Sequence, residues 1–293
     1  MGHLLLYTIV RRKNNQEGKT MALLTGPAFI NGIKETFEKK TSHTEENDKS
    51  VPRRSLVQIY FSKRDMTLTY YNDKFDLYRG DIVYVDGKLE GMRGCVTGVN
   101  YNFKIRSSEY KRVIALVDTD VKGQFFMAGS HFISFERDTL PVEKVMTWFK
   151  EPIGEEDEYL SNTDDTFFLL DDLTTMDISG EVAERGHDYY MKNRVKYLCL
   201  DGSKGYAIVE GNENYEVEFT LKNGKVSGLT CSCFCNYNCK HGFAVMLQLK
   251  ESLKRIEDNY AEEYKRTNYF AAIDRDTLFS FAIDGKETGT FTL

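Results

Sequence analysis

From Leu56 onward the chain is written in short apolar runs broken by polar residues and glycines, the signature of strands. Runs at 57–61 and 68–71 alternate or cluster β-branched and aromatic residues. They are followed by 80–87 and 91–99, where the Asp86-Gly87 pair marks a hairpin turn and Gly91, Gly94 and Gly98 mark tight corners or bulges of a curved sheet. Further strands are predicted at 112–117, 124–127 and 132–135. The second half repeats the pattern at 194–200, 205–209, 215–221 and 226–230, with Asp201-Gly202 and Asn223-Gly224 as turns. After His241 the period changes. Met246, Leu249, Leu253, Ile256 and Tyr260 recur at helical spacing, which predicts one apolar stripe along a helix of about six turns. Upstream of residue 51 the pattern is mixed. A short apolar start, the basic triplet at 11–13, a candidate helix over 30–40 and a polar tail predict a partly disordered arm over 1–50, with Met21 a second candidate start.

This pattern predicts an α+β protein. Its 293 residues are long for one core and comfortable for two domains. The charge is uneven. Residues 51–115 hold 12 Lys/Arg against 7 Asp/Glu, residues 151–184 hold 12 Asp/Glu and no Lys/Arg, and residues 185–293 hold 15 of each. A basic β-rich module over 51–150, an acidic connector over 151–184 and a neutral module over 185–293 are therefore expected, with the boundary near residue 152. The apolar stretch at 167–170 interrupts the connector and implies that it docks on a neighbouring element. No run approaches the ~18 apolar residues of a membrane span, so a soluble, cytoplasmic protein in a reducing compartment is expected.

In the front module, the Gly80-Asp81-x-Val83-x-Val85 run followed by Gly91-x-x-Gly94-x-Val96 resembles the KOW type of SH3-like barrel, over residues 78–100. Many short strands with glycine corners suit such a small barrel. The resemblance implies a binding role, commonly on RNA, ribosomal surfaces or transcription machinery.

The segment with the most specific chemistry is Cys231-Ser-Cys233-Phe-Cys235-Asn-Tyr-Asn-Cys239-Lys-His241. Four of the chain's six cysteines fall within nine residues, which points to a metal knot before a disulfide framework. Alternate residues of a strand project to one side, so Cys231 and Cys233 can offer both sulfurs to one ion. The following residues turn the chain back to Cys239 and His241 at the start of the helix, where the macrodipole favours thiolate. Four protein ligands close a tetrahedral zinc shell and leave no position for a substrate water, so the site is expected to be structural. Cys235 leaves an all-thiolate shell open as an alternative. Cys95 and Cys199 lie in apolar strands and are expected to be buried small hydrophobes.

The Cys-x-Cys-(5)-Cys-x-His order resembles the SWIM zinc finger. The likeness extends upstream through Arg185-Gly186-His187-Asp188-Tyr189-Tyr190, Val195, 207–211 and 215–217, residues expected to form the strand framework before the finger, and downstream through 243–249. It covers about 185–256. The resemblance implies Zn2+ held by Cys231, Cys233, Cys239 and His241, and a role in binding DNA or other proteins.

Candidate nucleic-acid contacts are Arg53, Arg54, Lys63, Arg64, Lys104, Arg106, Lys111 and Arg112, interleaved with Tyr60, Tyr70, Tyr71, Tyr101, Phe103 and Tyr110. Charge for phosphates with rings for stacking is the required mixture; the alternative is that the rings fill the barrel and the charges face water. No phosphate-binding loop with Lys-Ser/Thr occurs, and neither His131 nor His187 has a nearby nucleophile. The acidic pairs at 164–165 and 171–172 are read as solvated. The expected function is a non-catalytic, zinc-binding adaptor for DNA or RNA, with a protein–protein interaction module as the alternative and an enzyme the least favoured.

Overall fold

The structure, a computed structural model, describes residues 52–152, 162–235 and 238–283. The expected arm over 1–50, with its candidate helix at 30–40, lies outside them. The described chain is α+β and builds two antiparallel sheets.

The smaller sheet contains β1 (Ser55–Phe61), β2 (Met66–Asn72), β3 (Ile82–Val85), β4 (Gly94–Asn100) and β5 (Val113–Leu116), in the order β2-β1-β4-β3-β5. Strict alternation along β1 turns Val57, Ile59 and Phe61 inward to meet Tyr70, Leu77, Val83, Val85, Val96 and Val113. The expected closed barrel is not formed. The edge strands β2 and β5 approach at a single bridge between Tyr71 and Arg112, with the Tyr71 amide donating to the Lys111 carbonyl (2.8 Å). One bridge curves the sheet without continuing the ladder.

The larger sheet runs β6 (Phe126–Ala128), β7 (His131–Ser134), β13 (Tyr269–Asp274), β9 (Val195–Asp201), β10 (Lys204–Glu210), β11 (Asn214–Lys222), β12 (Lys225–Cys231) and β8 (Phe167–Leu169). Helices cover both faces. On one face lie α2 (Gly180–Met191) and α3 (Lys240–Asn259), whose Val245, Met246, Leu249 and Ile256 pack on Leu198, Leu200, Val209 and Phe270. On the other lie α1 (Val142–Phe149) and α5 (Arg275–Ala282), packed on Tyr197, Cys199, Ile208 and Ile273. A short α4 (Ala261–Thr267) joins α3 to β13.

Two expectations change. The division near residue 152 does not separate the sheets, because β7, which carries β6 on its outer edge, pairs with the late strand β13. That strand, Tyr-Phe-Ala-Ala-Ile-Asp, is buried along its whole length. Buried on both faces, it has no alternation to read. Residues 185–190 form part of helix α2 rather than a strand. The apolar stretch of the acidic segment does dock, as strand β8 on β12 through Phe168 opposite Val226.

The two sheets are joined through α1 and α5. Trp148 is fully buried and stacks on Phe281 (centroids 5.0 Å, 22°). From the smaller sheet, the Tyr84 hydroxyl donates to the Thr147 carbonyl (3.0 Å). Arg93 donates to the Trp148 carbonyl (2.6 Å) and lays its guanidinium over Phe281 (4.5 Å). Removing a fully buried Trp costs about 3–5 kcal/mol. We therefore expect Trp148→Ala to lower stability by about that amount in equilibrium urea unfolding, with probes in both sheets losing signal together.

Candidate metal centre

The candidate ligands sit where β12 hands the chain to α3. Backbone pairing delivers the first of them: Cys231 ends β12 opposite Val217, and Ser232 closes on Glu216 through its amide (2.9 Å to the carbonyl) and its hydroxyl (2.9 Å from the Glu216 amide). These bonds fix the path of the chain just before Cys233. Cys239 is the N-cap of α3, its sulfur accepting from the Gly242 amide (3.4 Å), and His241 follows in the first turn. A thiol at a helix N-terminus satisfies an orphan donor and feels the positive end of the macrodipole.

The ligand atoms of Cys231, Cys233, Cys239 and His241 all lie within 4.8 Å of one another, close enough to hold a metal ion. His241 Nδ1 is 3.7 Å from the Cys231 sulfur and 3.8 Å from the Cys239 sulfur. Cys239 and His241 are buried, Cys231 and Cys233 half-buried. Cys235 is exposed and stands outside the cluster.

Hydrogen bonding from Cys231, outweighing the cost of burial and helped by His241 and the Gly242 amide, holds the Cys239 thiol well below the ordinary range. Cys231, donating to it, moves upward. Burial pushes Cys233 up to about 11. Anionic sulfur and a neighbouring imidazole are the donors that a cation needs.

Two tyrosines clamp the imidazole. Tyr215 of β11 stacks on His241 (4.1 Å, 19°), and Tyr189 of α2 meets it edge-on (5.3 Å, 64°). His241 Nε2 is buried and has no hydrogen-bond partner among the described residues. Tyr189 reaches the ring because α2 lies directly on the start of α3 at Gly186. A Cβ at Gly186 would lie 2.8 Å from the Lys240 carbonyl oxygen and 2.9 Å from the Phe243 ring. The Lys240 ammonium lies over the Tyr189 ring (4.9 Å). The cysteine–histidine spacing identifies the four donors; the two rings that orient the imidazole come from α2 and β11 and carry no local spacing signal.

The eight basic candidates do not form one patch. Ser55 pairs with Asn72 and Leu56 with Asn100, so Arg53, Arg54 and the segment from Tyr101 to Arg112 gather at one end of the smaller sheet. Lys63 and Arg64 occupy the β1–β2 turn at the opposite end. Arg53 lies over Tyr101 (4.2 Å), while Arg112 is held by Asp73 (2.6 Å) beside Tyr71. Arg106 faces Glu109 (3.5 Å), and Arg54, Lys104 and Lys111 are exposed. Several of the expected rings are core or edge residues: Tyr70 and Tyr71 are buried, and Phe103 packs on Tyr71 (6.2 Å). His131 is buried and bonded to the Val195 carbonyl (2.8 Å), as a structural residue is. Asp164 and Asp172 are exposed and cap their own turns through Thr166 and Thr174.

No protein-family model matches the chain. An uncharacterized protein of Methanocaldococcus jannaschii is 34% identical over 99 residues, which cover 31% of this chain and 42% of that protein. The chain thus spans less than half the length of this relative. No solved structure matches. No described helix is long and apolar enough to cross a membrane.

We expect Cys239→Ser to abolish retention of the metal and to lower the melting temperature, since it removes the buried sulfur ligand while a serine still caps α3. Cys235→Ser should keep both. Elemental analysis of the purified variants checks this, and full metal content in Cys239→Ser would remove the assignment.

Proposed function

We propose that the protein is a zinc-stabilised, non-catalytic adaptor that binds nucleic acid, built from an SH3-like module and a SWIM-type finger. The observation that carries the reading is the donor set at the β12–α3 junction. A tetrahedral zinc with Zn–S near 2.3 Å and Zn–N near 2.0–2.1 Å sets sulfur–nitrogen edges of roughly 3.6 Å. Two sulfur–nitrogen edges, Cys231 to His241 and Cys239 to His241, are 3.7 and 3.8 Å. Three thiols and one imidazole are the soft and borderline donors that zinc selects over calcium or magnesium.

Four protein ligands fill the coordination shell, so an ion held there serves folding and not hydrolysis. The order Cys231, Cys233, Cys239, His241 at the end of a strand and the start of a helix is the arrangement of a SWIM finger, and α2 is the helix that presses on it. The finger fixes the relative placement of β11, β12, α2 and α3, and the surface around those elements is the product of that placement.

The partner is inferred from the surface chemistry. Arg53 over Tyr101, with Arg54, Lys104 and Lys111 exposed nearby on one end of the smaller sheet, combines fixed positive charge with an accessible ring. Phosphate neutralisation supplies salt-dependent affinity, and aromatic faces accept unpaired bases. Lys63 and Arg64 belong to a separate contact or to none.

We expect the zinc-loaded protein to bind mixed-sequence oligonucleotides with an affinity that falls steeply as salt rises. The Arg53→Ala/Arg54→Ala variant should flatten the slope of log K against log salt by about 1.4 for a single strand. Fluorescence anisotropy between roughly 50 and 200 mM salt measures both. Absence of binding at the lowest salt would overturn the nucleic-acid reading and leave the metal centre standing.

A further inference from the structure

Beside the metal centre, the C-terminal half of α2 and the β10–β11 turn enclose an open cleft of about 230 Å³. Arg185, Lys192 and Arg194 supply three cations to its lining against one carboxylate, Asp188. These charges are only loosely engaged. Lys192 and Asp188 face each other at 3.6 Å with both side chains more than 60% exposed, an arrangement in which the ion pair contributes little. Arg194 meets Glu210 at 2.9 Å at the rim. Arg185 gives its Nε hydrogen to the Glu181 carbonyl of its own helix (3.3 Å) and has no ion-pair partner among the described residues. Its guanidinium therefore keeps donors free, in the planar fork that fits a phosphate.

The inner wall of the cleft is part of the metal site. Tyr189 lines the cleft and also meets the His241 ring edge-on. Gly211 closes the turn over the same tyrosines: a Cβ there would lie 2.8 Å from the Tyr215 ring and 3.4 Å from the Tyr189 hydroxyl. A bulkier residue at 211 would push apart the two rings that clamp the imidazole. The cleft is thus a fixed surface, held from behind by the metal-binding junction.

A second, apolar group lies along the same edge. Beyond Cys231 the chain continues alongside β11 toward its Asn214 end, since Cys231 is opposite Val217 and Ser232 bonds to Glu216. That end of β11 is the one the 211–213 turn closes. Phe234 follows, and it is 100% exposed. A fully exposed ring on a loop pinned at both ends by metal ligands gains nothing for the fold. It has the geometry of a stacking platform.

We infer that the cleft seats a backbone phosphate of a single-stranded nucleic acid, with a neighbouring unpaired base stacked on Phe234. This inference rests on the nucleic-acid reading above and names the strand type and the second contact surface. Cations set the salt dependence of binding, whereas base stacking adds affinity with little salt dependence. The two contributions are therefore separable.

The experiment compares fluorescent single-stranded and duplex mixed-sequence oligonucleotides on the zinc-loaded wild type and three variants: Arg185→Ala/Lys192→Ala, Phe234→Ala and Arg53→Ala/Arg54→Ala. Metal content and melting temperature of each variant are confirmed first. Arg185→Ala/Lys192→Ala should lower the single-strand salt slope by about 1.4. Phe234→Ala should weaken single-strand binding roughly 5- to 150-fold with the slope unchanged, and duplex should bind more weakly than single strand. A wild-type slope retained in Arg185→Ala/Lys192→Ala while the Arg53/Arg54 variant loses slope would overturn the cleft and spare the adaptor reading. Equal affinity for duplex with no effect of Phe234→Ala would overturn the single-strand assignment. No binding of either probe by the wild type would overturn both the inference and the reading beneath it.

Discussion

Three thiols and one imidazole are gathered where β12 of the larger sheet gives way to the long helix α3, and the surroundings are arranged to keep them there. Cys239 caps α3, the Ser232–Glu216 bonds hold the strand end, and Tyr189 and Tyr215 clamp His241. Without a cation this cluster would bury Cys239, a thiol inclined to ionise, next to two other sulfurs with no ion to balance the charge, which is unfavourable. A tetrahedral ion would balance that charge and take His241 Nδ1 as a ligand. Binding free energy then becomes folding free energy for the β11–β12–α3 corner.

That corner positions elements that share little sequence proximity. Helix α2 presses on α3 at Gly186, and the same contact brings Tyr189 to the imidazole and Arg185, Lys192 and Arg194 to the surface beside it. On the opposite face of the sheet, Trp148, Phe281 and Arg93 tie the smaller sheet to α1 and α5. The two sheets are thus not independent modules on a linker. The segment 126–134 leaves the smaller sheet and lies beside β13, so any ligand contacting both surfaces meets a body with shared packing.

What was legible in the sequence follows from which signals are local. Alternation along β1, turns at Asn223-Gly224 and the 3–4 stripe of α3 each depend on a few neighbouring residues, and the elements form where those signals place them. The four clustered donors were legible for the same reason, because their spacing is set by one strand end and one helix start. The missed elements lack such a signature. β13 is apolar on both faces, so it shows no period of two. Helix α2 carries Gly186 in its middle and is mostly polar, because it covers only a narrow part of the sheet and the α3 N-terminus. The pairing of β7 with β13 joins residues well over a hundred positions apart, and only the completed sheet displays it. The basic candidates could be named but not mapped, since opposite ends of one strand look adjacent in sequence.

The central claim is a single closed metal shell that organises this junction. X-ray absorption at the zinc edge on freshly purified full-length protein tests it most directly. The account predicts one zinc per chain with three sulfurs near 2.3 Å and one nitrogen at about 2.0–2.1 Å. A metal-free protein, a shell of four sulfurs, or a shell containing an exchangeable water oxygen would contradict it.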